Sequence, residues 1–77
     1  MTHYANTFAA VRDVFPEMSM GEVRHACNKI GNYIRRAHQD VYELAVSARP
    51  FRAEPGYFDF EQFEAGGRIV YVRLTVD

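Results

Sequence analysis

The chain has 77 residues, of which 48% are apolar and 14% aromatic, enough for one small folded domain and too rich in Phe and Tyr for a disordered tail. Nine Lys and Arg against ten Asp and Glu leave a net charge of -1, so charge on the whole molecule favours neither nucleic acid nor a basic partner. The single cysteine, Cys27, excludes an internal disulfide, and no apolar run approaches a membrane span or a signal peptide, so a cytoplasmic protein with no membrane partner is expected.

Tyr4, Phe8, Val11 and Phe15 recur at the spacing of one helical face, and Pro16 pushes the residue before it out of the helical region, which predicts a first helix over 4–14. Ser19 and Glu22 have the spacing of a capping box, with Met18 and Val23 placed as its hydrophobic staple. A second helix over Met20–Ile30 follows, with Val23, Ala26, Cys27 and Ile30 on its apolar face and Gly31 as its C-terminal stop. Asn32 caps a predicted third helix running to Ala48, in which Ile34, Ala37, Val41, Leu44, Ala45 and Ala48 share one arc before Pro50. Tyr42 and Val46 fall outside that arc and suggest a homodimer surface.

Beyond Pro55-Gly56 the period changes to two. Val70, Val72, Leu74 and Val76 alternate with Ile69, Tyr71, Arg73 and Thr75, and Glu64-Ala65-Gly66-Gly67 supplies the positive backbone angles of a hairpin turn. The expected fold is α+β: a single domain, 1–77, of three helices followed by a C-terminal antiparallel β-hairpin, winged-helix-like.

That order, over about residues 7–76, resembles the winged helix-turn-helix class of DNA-binding domains. The resemblance implies that Met20–Ile30 braces, that Asn32–Ala48 enters the major groove as recognition helix, and that Phe58–Val76 forms the wing. It implies a small DNA-binding regulator of transcription, with duplex DNA as partner.

Local charge bears on the same question. Residues 24–52 carry Arg24, Lys29, Arg35, Arg36, Arg49 and Arg52 against Asp40 and Glu43, a net of +4, while residues 1–23 sum to -2 and 53–77 to -3. A phosphate-facing surface is built this way. Arg35, Arg36, Gln39 and Glu43 lie opposite the apolar arc, and Arg and Gln can read base edges through paired hydrogen bonds. The expected DNA-binding set is therefore Arg24, Lys29, Asn32, Arg35, Arg36, Gln39, Arg49 and Arg52.

A second reading comes from the acidic, aromatic-rich stretch, where Tyr57, Asp59, Glu61 and Glu64 interleave with Phe58, Phe60 and Phe63 and would suit a basic protein surface. In size and style such a chain is similar to the small inhibitors or adaptors that phages encode against host proteins, anti-CRISPR proteins among them. No enzyme is expected. His25 and Cys27 stand ~200 degrees apart on a helix and cannot share a proton, and His38 comes with no orienting third group. His3, His25, His38 and Cys27 lack the close ligand pairs of a zinc site, and Gly66-Gly67 lacks the frame of a phosphate loop, so neither metal nor cofactor is expected.

Overall fold

The computed structural model describes residues 3–37, 41–52 and 58–76. In chain order the elements are α1 (His3–Val14), α2 (Met20–Ala37), β1 (Val41–Ser47), β2 (Phe58–Ala65) and β3 (Arg68–Val76). The strands form one antiparallel sheet in the order β1-β3-β2.

α1 ends where the sequence predicts. The Phe15 amide still donates to the Val11 carbonyl at 2.8 Å, and Pro16 then forbids another helical residue. α2 starts at the predicted capping box: the Ser19 amide donates to Glu22 Oε1 at 2.8 Å, and the Glu22 amide donates to Ser19 Oγ at 3.2 Å. Met18 and Val23 are both buried beside it, as the staple requires. Ser19→Ala is expected to cost ~1 kcal/mol, read as a lowered urea midpoint; an unchanged midpoint would mean the cap contributes nothing.

The third helix is not formed. α2 runs through Gly31 to Ala37, and residues 41–47, placed by sequence periodicity in a recognition helix Asn32–Ala48, are an edge strand. Two physical reasons account for this. A glycine inside a helix costs only ~1 kcal/mol, and the buried Ile30 and Tyr33, with partly buried Ile34, hold the apolar face together on both sides of Gly31. From Glu43 to Ser47 the chain also alternates, and Leu44 and Val46 pair with Leu74 and Val72, completing the inner face of the sheet. Val46 is consequently packed against the core rather than set on an outer helix face, which removes it from the homodimer surface; the Tyr42 side chain lies outside the described residues.

In place of the expected C-terminal hairpin stands a three-stranded sheet, in which β2 and β3 pair antiparallel and β1 adds a strand on the other edge of β3. Ala65 pairs with Arg68 across Gly66 and Gly67, whose φ angles of 61° and 73° define a two-residue turn with both residues left-handed. Both helices lie on one face of the sheet. Val11, Phe15, Met18, Val23, Ala26, Ile30 and Tyr33 meet Ala65, Val70, Val72 and Leu74 in one buried cluster.

β1 and β2 follow each other in sequence but flank β3, and Phe51, in the segment that leaves β1, lies on the far face of the sheet. There the Phe51 ring packs at 6.2 Å from Phe60, with the Arg73 guanidinium 5.0 Å from its centroid. Among the described residues no helix is long and apolar enough to cross a membrane.

Candidate nucleic-acid interface

α2 runs antiparallel to β2, which brings its solvent side against that edge strand residue by residue. Glu22 lies at Gly66, Lys29 at Phe63 and Glu64, and Arg36 at Glu61. The amphipathic pattern dictates which side chains end there. With Val23, Ala26, Ile30 and Tyr33 turned to the core, an advance of ~100 degrees per residue puts Arg24, Asn32 and Arg35 on the opposite arc and Lys29 and Arg36 on the flank beside β2. Glu22 is the only acidic residue in the helix, and its carboxylate is engaged by the cap. Arg35 and Arg36 occupy the last turn, where cations complement the helix dipole.

Between α2 and β2 opens a groove of about 560 Å³ lined by Lys29, Asn32, Arg35, Arg36, Glu61 and Phe63. Its polar groups are held in place by one another. Arg35 donates to Asn32 Oδ1 at 3.0 Å, and Lys29 Nζ donates to the Glu64 carbonyl at 3.4 Å while standing 5.5 Å from the centroid of the Phe63 ring. Arg36 donates to Glu61 Oε2 at 3.0 Å in an exposed ion pair. Lys29 and Arg35 are thus oriented by neutral partners that do not cancel their charge, whereas Arg36 faces a carboxylate. Such a surface can take an anionic ligand through several charge-assisted hydrogen bonds at once.

Of the DNA-binding set expected from sequence, Lys29, Asn32, Arg35 and Arg36 converge on this groove, while Arg24 lies outside it, in line with Arg35 but ~120 to 140 degrees round the helix from Arg36 and Lys29. Arg49 and Arg52 do not join them. They flank Phe51, which packs on the opposite face of the sheet, and the Arg49 amide donates to Ser47 Oγ at 3.0 Å. Gln39 and Tyr57 lie outside the described residues, and Asp59 is placed only by its register opposite Leu74.

The acidic stretch does not form one surface. Glu61 pairs with Val72 on the helix-facing side and reaches Arg36, while Glu64 pairs with Ile69 on the outer side. Phe63, which sequence reasoning places only in that stretch, belongs to the basic groove, because strand alternation gives it the same side as Glu61.

Cys27 is half-buried, and burial pushes its thiol up from the ordinary value, the direction that disfavours a thiolate nucleophile. Among the described residues no three His, Cys, Asp or Glu side chains come together as a metal site would need. The chain matches no known protein family, no curated protein and no solved structure.

Proposed function

We propose that the protein is a small DNA-binding regulator that grips the phosphate backbone with the basic face of α2 and carries out no catalysis. The observation that carries this reading is the placement of Arg24, Lys29, Arg35 and Arg36 around the non-core side of a single helix, with no carboxylate on the helix beyond Glu22. From Arg24 to Arg36 that face extends about 18 Å along the axis, somewhat more than the width of the major groove. The role that winged-helix proteins give to a separate recognition helix falls here to the C-terminal half of α2, with the β2–β3 hairpin beside it in the place of the wing.

A titration of short random-sequence duplex DNA at several salt concentrations tests the proposal. With Arg24, Lys29, Arg35 and Arg36 neutralising one phosphate each, log K is expected to fall with log salt at a slope of about -3.6. Arg35→Ala is expected to make that slope shallower by about one. Wild-type protein that fails to bind, or binds with no dependence on salt, would refute it.

One observation favours a second reading, that of a protein-binding inhibitor or adaptor. Phe60 and Ile69 are 41% and 44% exposed on the outer face of the sheet, beside Phe51 and Tyr71, an apolar surface that contributes nothing to binding phosphates. Under that reading Phe60→Ala would abolish capture of a protein partner, and Arg35→Ala would leave it intact.

A further inference from the structure

Among the six residues lining the α2–β2 groove, three are cations and one, Glu61, is a carboxylate. Building on the DNA-binding reading, we propose that Glu61 occupies the position a backbone phosphate takes in the complex, so that a nucleic-acid strand seats in the groove by displacing Glu61 from Arg36.

The chemistry of the two oxyanions supports the exchange. A guanidinium presents its N–H groups in a planar fork that accepts a carboxylate or a phosphate in similar geometry, and Arg36 already holds such a contact at 3.0 Å. The pair is open to replacement, since the side chains of Arg36 and Glu61 are 68% and 37% exposed, and an ion pair at that exposure contributes little to folding. The neighbours are prepared for the incoming anion. Asn32 fixes Arg35 through its amide oxygen, and a backbone carbonyl with the Phe63 ring fixes Lys29, so among the described residues neither cation has an ion pair to break in order to bind. Arg36 is the groove cation whose charge is cancelled in the free protein, and Glu61 is what cancels it. The groove volume of about 560 Å³ falls within the range of small-ligand sites, roughly 300 to 1,000 Å³, and the Phe63 ring offers an apolar wall to the sugar beside the phosphate.

Glu61→Gln removes the competing charge while preserving side-chain shape. In salt titrations against random-sequence duplex DNA it should bind about three- to tenfold tighter than wild type at low salt with a similar slope, because Arg36 meets the same phosphate in both complexes and no carboxylate then has to be displaced from it. The gain should vanish when Glu61→Gln is combined with Arg36→Gln. A gain that persists in the double variant would overturn the proposal, since Glu61 would then act by diffuse repulsion. Unchanged binding by Glu61→Gln beside a salt-dependent wild type would also overturn it while leaving the DNA-binding reading in place. If neither wild type nor Glu61→Gln binds duplex DNA, the reading and the inference fail together.

Discussion

Replacing Leu74 with alanine is expected to cost about 2 to 5 kcal/mol of folding stability, the range for deleting a buried leucine side chain. Leu74 is fully buried in the central strand, opposite Leu44 of β1 and the Asp59 position of β2. Because β3 is hydrogen-bonded on both edges, the backbone there cannot shift inward to fill the space, and the cavity stays open. A domain of this length has roughly 4 to 12 kcal/mol in total, so the variant loses a large share of it. Ile69→Ala on the same strand is the control. Its side chain is 44% exposed on the other face, and the change should stay within about 1 kcal/mol. Urea unfolding of both variants reads the alternation of β3 directly, and equal losses would contradict the register.

Gly66→Ala is expected to cost about 2 to 3 kcal/mol, more than the same change at its neighbour Gly67. Both residues have positive φ, 61° and 73°, so alanine at either is strained by about 1 to 2 kcal/mol. The difference lies in what each new methyl meets. A Cβ on Gly66 would sit 2.8 Å from the Glu22 carboxyl carbon and from Oε2, whereas a Cβ on Gly67 meets nothing within 4 Å. Glu22 cannot simply swing aside, because its other oxygen accepts the Ser19 amide at 2.8 Å. Making room for the added methyl therefore loosens the cap of α2, which adds up to ~1 kcal/mol. In a Glu22→Ala background the two glycine substitutions should cost the same; a difference that survives there would show that the hairpin tip and the cap are not coupled.

That contact illustrates how much is legible in the sequence. The capping box and the double-glycine turn are local signals, each set by a few adjacent residues, and both are found where the sequence predicts them. What the sequence does not reveal is that the two meet, since their contact joins positions 44 residues apart. The expected third helix fails for a related reason. The stretch 41–47 contains too few residues to separate a period of 3.6 from a period of two, and its strand character depends on Val72 and Leu74 needing partners on the β1 side. Gly31 reinforces the error, because a glycine after an apolar face reads as a stop when only local preference is weighed.

The candidate site follows the same pattern. The basic side of α2 is visible as a segment of net positive charge, but the sequence divides it at Gly31 between two expected helices, and only the continuous helix Met20–Ala37 puts Arg24, Lys29, Arg35 and Arg36 on one element. Arg49 and Arg52 fall into the same set only by nearness in sequence, and the strand β1 carries the chain to the far side of the sheet before they occur. The Arg36–Glu61 pair joins two sets of residues that sequence reasoning assigns to rival functions. Only the antiparallel approach of α2 to β2 brings them into one groove.

The most direct test of the α2 face compares two double variants that remove the same charge from opposite sides of the molecule. Arg24→Ala with Arg35→Ala strips the solvent face of α2, and Arg49→Ala with Arg52→Ala strips the segment around Phe51, on the outer face of the sheet. In a salt titration against random-sequence duplex DNA, the first pair should make the slope shallower by about two and weaken binding accordingly, while the second should track the wild type. Equal losses in the two variants, or a larger loss in the second, would contradict the assignment of phosphate binding to α2.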